Sequence, residues 1–111
     1  MLTVAGSARV FIYGEPVDMR NGFEGLSAIV EASFDAEITS GAYFIFINRQ
    51  RDRMKALYWD VDGLAVWYKR LEKGTFAKAK RRGSQLISRR EFLMLLEGVT
   101  PERINRRYKI T

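Results

Sequence analysis

The segment from Ala42 to Leu71 constrains the fold more than any other part of the chain. Three apolar runs, Ala42–Ile47, Met54–Trp59 and Leu64–Leu71, are separated by two short polar breaks, Asn48–Arg53 and Asp60–Gly63. Aromatic and β-branched residues dominate these runs, and runs of this length suit strands rather than helices. Breaks so short allow antiparallel neighbours alone, because a parallel return needs a crossover of about a dozen residues or more. A three-stranded meander follows. Period two places Tyr43, Ile45 and Ile47 on one side of the first strand and Phe44 and Phe46 on the other, so that strand is expected at the centre. One face of the meander should meet helices and the other should keep exposed aromatics. Tyr58, Trp59, Trp67 and Tyr68 then have two readings, as core or cross-strand pairs or as a stacking platform for single-stranded nucleic acid.

The flanking sequence supplies further elements. Arg9–Tyr13 reads as a short strand at an edge of the meander, stopped by Gly14 and by Pro16, which biases Glu15 toward extended backbone. Asp18 stands as an N-cap for a helix from about Met19 to Phe34, with Met19, Phe23, Leu26, Ile29 and Val30 on its sheet-facing side. Gly22 and Gly25 cost about 1 kcal/mol each in a helix interior relative to alanine, and close approach to the sheet aromatics is the expected reason. They do not make a phosphate loop, since no lysine or Ser/Thr follows at the required spacing. After the meander, Thr75–Lys78 is a candidate fourth strand, and Gly83 marks Lys78–Ser84 as a basic loop. Ser88 and Glu91 form a capping box for a short helix containing Phe92, Leu95 and Leu96 in the core face, with Leu93 off it and Gly98 at its close. Thr100–Pro101–Glu102 opens another turn, and residues 88 to 107 admit a helix-turn-helix reading. The expected architecture is α+β: an antiparallel sheet of four to five strands, one long helix packed on it and a short C-terminal helix. The 111 residues make one domain, with 1–7 and 103–111 expected to be flexible, enough to bury about 65% of the unfolded surface.

Composition removes several chemistries. The chain has neither cysteine nor histidine, which excludes disulfides, thiolate zinc sites and imidazole catalysis. No cofactor and no metal is expected. With no apolar run near the roughly 20 residues of a membrane span, and no charged leader before an apolar stretch, a cytoplasmic protein without membrane contact is expected. Asp60 and Asp62 are two carboxylates on one break, and a magnesium nuclease site needs further acidic ligands beside them.

Charge is distributed unevenly. Residues 1–48 hold two basic side chains against six acidic ones, a balance of −4, whereas residues 49–111 hold 17 against seven, a balance of +10. Such a basic half attracts polyanions. Arg49, Arg51 and Arg53 fall on one hairpin tip, and Lys80, Arg81 and Arg82 in the densest basic cluster; these six are the expected nucleic-acid contacts, acting on phosphates rather than bases. The alternative is a solvated surface on a protein-interaction module.

Several blocks in order carry a resemblance. Arg9-Val10-Phe11, Pro16-Val17-Asp18-Met19-Arg20-Asn21-Gly22-Phe23-Glu24-Gly25-Leu26, Phe44 to Lys55, Leu57 to Leu64, Tyr68 to Phe76 and Leu95-Leu96-Glu97-Gly98 resemble TnpB, the Orf2-like second-frame product of the bacterial insertion sequences numbered sixty-six. This TnpB is unrelated to the RNA-guided nucleases that share its label. The resemblance spans about residues 9 to 98 and departs from the family pattern at Ala77–Arg82, where tryptophan or proline is common. It implies an accessory, non-enzymatic part in transposition beside a separate transposase that holds the catalytic acids; the expected partners are then element DNA, through the basic half, or the cognate transposase and other insertion-sequence proteins, through the aromatic face.

Overall fold

The computed structural model describes Leu2 and residues 6 to 96. Five strands, β1 (Val10–Tyr13), β2 (Tyr43–Ile47), β3 (Arg53–Asp60), β4 (Gly63–Arg70) and β5 (Ser84–Ile87), make one sheet in the order β4-β3-β2-β1-β5. Helix α1 (Phe23–Ser33) lies between β1 and β2 in the chain, and α2 (Arg89–Leu96) follows β5. The meander forms as its short breaks require: Ile47 is opposite Met54 and Asp60 opposite Gly63, both pairings antiparallel. β1 runs parallel to β2, because the connection between them contains α1 and is long enough for a crossover. The sheet is therefore mixed, within the α+β class that the sequence implies.

Two elements differ from expectation. Thr75–Lys78 is not a strand; the remaining strand is Ser84–Ile87, which pairs antiparallel with β1 and turns β1 from an edge into an interior strand. Gly14 allows this closure. A Cβ there would fall 1.9 Å from the Arg81 carbonyl oxygen, and the Gly14 N–H donates to the Gly83 carbonyl at 2.7 Å. Helix α1 begins four residues later than the sequence suggests. The Asp18 carboxylate accepts from the Arg20 N–H at 2.8 Å and from the Arg20 guanidinium at 2.7 Å, so it is spent on a turn rather than on the helix terminus. Gly22 is the N-cap, in extended backbone with no side-chain cap. Gly25 makes room for the Asn21 side chain, whose Oδ1 would lie 2.2 Å from an added Cβ, and not for the sheet aromatics.

Both faces of the sheet are covered. Leu26 and Val30 of α1 pack with Phe11, Phe44, Phe46 and Leu57 on one side, where Phe34 meets Phe44 edge-on at 5.1 Å. Phe92, Leu95 and Leu96 of α2, with Phe76 from the β4–β5 connection, close the other side over Ile12, Ile45, Met54 and Ala56. The expected bare aromatic face is absent for this reason: Tyr43, stacked on Tyr58 at 4.8 Å, and Trp67 are packed against that second cluster. The capping box forms as expected, with the Glu91 N–H donating to Ser88 Oγ at 3.1 Å and the Ser88 N–H to Glu91 Oε1 at 3.0 Å. Leu93 is 40% exposed. Gly98, the 100–102 turn, most of the helix-turn-helix segment, Met1 and residues 3–5, and all of 103–111 lie outside the described residues.

Candidate nucleic-acid interface

Strand directions bring three connections to one end of the sheet: 14–22 after β1, the β2–β3 tip 48–52, and 71–83 between β4 and β5. With the adjoining strand ends they carry Arg20, Arg49, Arg51, Arg53, Arg70, Lys73, Lys78, Lys80, Arg81 and Arg82 against Glu15, Asp18, Asp52 and Glu72. The opposite end carries Asp35 and Glu37 before β2, Asp60 and Asp62 at the β3–β4 turn and Glu91 in α2, against Arg9 before β1 and Arg89 and Arg90 after β5. The molecule is polarised along its strands.

The β2–β3 tip is built around Asn48. Its Oδ1 accepts from the Asp52 and Arg53 N–H groups, each at 3.0 Å, and its Nδ2 donates to Asp52 Oδ1 at 2.7 Å. Arg51 takes a left-handed backbone, φ 58°, which is uncommon for a residue with a side chain. Its N–H donates to the Asn48 carbonyl at 3.0 Å and its carbonyl accepts from the Phe76 N–H at 2.6 Å, while the Asp52 carbonyl accepts from the Leu71 N–H at 2.7 Å. The tip is therefore tied to the 71–76 segment through the Arg51 and Asp52 carbonyls, not a loose hairpin end.

Two grooves meet at Arg49. One, of about 640 Å³, is lined by Arg20, Arg49 and Arg53 together with Asp18, Asn48 and Tyr68. The other, of about 260 Å³, is lined by Arg49, Arg51 and Lys78 with Glu15 and Asn48. Arg81 and Arg82 lie beside Gly14 at the margin of the second groove. Lys80 is separate: it lines a cavity between the 77–80 segment and α2, with Glu91 and Leu95. The six expected contacts thus divide into the three tip arginines, the Arg81–Arg82 pair at the β1 end, and a lysine turned toward α2.

Ion pairs form between Arg20 and Asp18 at 2.7 Å and between Arg70 and Glu72 at 3.1 Å. Among the described residues no carboxylate pairs with Arg49, Arg51, Arg53, Lys80, Arg81 or Arg82. Hydrogen bonds from the Arg20 guanidinium hold the Asp18 carboxyl down to about 2, so Asp18 stays ionised and offsets Arg20. The sequence reading missed Lys55, whose Nζ donates to the Met19 carbonyl at 2.7 Å and the Asn21 carbonyl at 2.8 Å and lies 4.9 Å from the centre of the Tyr68 ring. The signal was a lysine in an otherwise aromatic and aliphatic strand. Asp60 and Asp62 are exposed, and among the described residues no cluster of three or more acidic side chains can hold a metal. No described helix is long and apolar enough to cross a membrane.

The family described as IS66 Orf2 like protein matches residues 8–106 of the chain. Two proteins of Sinorhizobium fredii (strain NBRC 101917 / NGR234) are similar along most of their lengths. One, uncharacterized protein y4jC, is 32% identical over 108 residues, covering 96% of this chain and 92% of the relative. The other, uncharacterized protein y4hO, is 30% identical over 100 residues, covering 89% and 87%. No solved structure matches the chain significantly.

Proposed function

We propose that this chain, which belongs to the IS66 Orf2-like TnpB family and has that family's accessory, non-catalytic place in transposition, acts by seating element DNA against the basic end of its sheet. The observation that carries the reading is the convergence of Arg49, Arg51 and Arg53 with Arg81 and Arg82 on one end, none of them paired with a carboxylate among the described residues. Unpaired guanidiniums on a rigid tip suit phosphate oxygens, which accept two parallel N–H donors. Lys80, turned toward α2, contributes at longer range.

The test is duplex affinity measured against salt. Each phosphate neutralised contributes about −0.9 to the slope of log K against log salt. Removing Arg49 and Arg53 together should therefore flatten the slope by about 2 if each meets one phosphate. A wild-type affinity independent of salt refutes the reading. Leu93, 40% exposed on α2, favours a second reading in which the chain contacts the transposase directly. A pull-down with transposase in the presence of nuclease separates the two, because a DNA bridge is lost and a protein contact survives.

A further inference from the structure

Four aromatic side chains are candidates for a stacking platform, and their surroundings separate them. Tyr58 is stacked on Tyr43, and Trp67 is packed against the cluster under α2. Trp59 donates its indole N–H to the Val61 carbonyl at 3.2 Å, at the acidic end. Tyr68 alone of the four lines the basic groove, and 48% of it is exposed.

The ring is held in place rather than free. Lys55 lies over it at 4.9 Å, and the Lys55 ammonium is itself anchored by the Met19 and Asn21 carbonyls. Arg49 and Arg53 line the same groove, and the Asn48 side chain fixes the backbone of Arg53 through its N–H. Among the described residues Asp18 is the one carboxylate in the lining, and it is engaged by Arg20. The groove volume, about 640 Å³, lies in the roughly 300–1,000 Å³ range of sites that take small organic groups.

We infer that this groove binds an unpaired nucleotide of single-stranded DNA, the base stacking on Tyr68 and the flanking phosphate meeting Arg49 and Arg53. The inference rests on the DNA-seating reading above and narrows it. Duplex DNA keeps its base faces stacked inside the helix, so it can use the arginines but not the ring. A single strand can use both, and base–aromatic stacking tolerates any sequence because every base has a π-face. The site therefore distinguishes strand state rather than sequence, which suits a DNA end or gap.

The experiment compares a labelled oligothymidylate strand with a hairpin duplex of matched length by fluorescence anisotropy. Tyr68→Ala and Tyr68→Leu should each weaken single-strand binding roughly tenfold and leave duplex binding within about twofold, while Tyr68→Phe keeps both. Tyr68→Leu retains apolar bulk over Lys55, so loss of folding and loss of stacking are told apart. A 5-iodouracil-substituted strand irradiated with wild-type protein should cross-link in the peptide containing Tyr68. Unchanged single-strand affinity in both non-aromatic variants, with duplex binding intact and salt-dependent, overturns the groove and leaves the DNA reading standing. Cross-linking confined to Trp59 overturns it likewise. Wild-type protein that binds neither probe overturns both.

Discussion

Asn48 is where the structure makes its strongest quantitative demand. Asn48→Ala removes the acceptor shared by the Asp52 and Arg53 N–H groups at 3.0 Å and the donor to Asp52 Oδ1 at 2.7 Å. Its bond to Gln50 Oε1, 3.3 Å and exposed, adds little. Each intramolecular hydrogen bond contributes about 0.5–1.5 kcal/mol net, and the bond to a carboxylate lies at the upper end. Two backbone amides and one charge-assisted contact in a partly buried tip then sum to about 2–3 kcal/mol. The backbone pairing of the Asn48 N–H with the Arg53 carbonyl remains, as do the two backbone bonds of Arg51, so the hairpin should persist but lose the side-chain constraint on the Asp52 and Arg53 amides that follow Arg51. Urea unfolding followed by tryptophan fluorescence reads the change as a lower midpoint at constant m value. Asn48→Asp keeps an acceptor for both amides while setting a second carboxylate against Asp52, and should fall in the same range or below. A loss under about 0.5 kcal/mol for Asn48→Ala would mean that the Asn48 side chain does not organise the tip, and the rigidity assigned to Arg49, Arg51 and Arg53 would rest on the backbone bonds to the 71–76 segment alone.

Two further substitutions probe the frame. Val61 has φ 57° and is 91% exposed; a β-branched residue in the left-handed region is strained by about 1–2 kcal/mol, so Val61→Asn or Val61→Gly should stabilise the protein by about 1 kcal/mol, seen as a raised Tm, and a fall in Tm refutes the assignment. At α2, Ser88→Ala should cost about 1 kcal/mol in urea unfolding at neutral pH. Hydrogen bonds from Ser88 hold the Glu91 carboxyl below its ordinary 4.5. Its charge therefore stabilises the fold above pH 4.5, and that contribution disappears as pH falls through the lower folded-state value. The midpoint difference between wild type and Glu91→Gln should shrink over that acidic window, whereas a pH-independent difference refutes the linkage.

Much of this fold is legible in the residues, and the exceptions have physical causes. The meander is written in lengths: breaks of a few residues leave no alternative to antiparallel pairing, and all three strands occur in place. The capping box is equally explicit because both of its partners are local. β5 is not. Ser84-Gln85-Leu86-Ile87 has two polar residues in four and leaves Leu86 60% exposed, since an edge strand needs only one apolar side and takes its identity from a pairing with β1 more than 70 residues away. The helix start is misread because Asp18 suits an N-cap and a turn equally well; the adjacent Arg20, which the carboxylate binds through side chain and backbone, decides between them. The tip arginines are legible as a charge cluster. Their junction with Arg20, Lys55 and Tyr68 is not, because it depends on which connections share an end of the sheet.

That dependence explains why the charge asymmetry along the chain is real but misdirected as a guide. The basic half includes Arg89 and Arg90, which open α2 away from the tip, and the acidic half includes Arg20, which lines the main groove. What separates the charges in space is strand direction. β1 and β2 run parallel and β3 returns, so the ends of β1 and β2 face the start of β3; β4 then returns to that end and β5 leaves from it. Basic residues concentrate in the connections at this end and Asp35, Glu37, Asp60 and Asp62 in those at the other. At the far pole Arg9, Arg89 and Arg90 partly offset those carboxylates, so a polyanion is drawn more strongly to the tip pole than to the other and is oriented before contact. Orientation of this kind needs no base recognition and no catalytic group, which is what an accessory protein working beside a separate transposase requires.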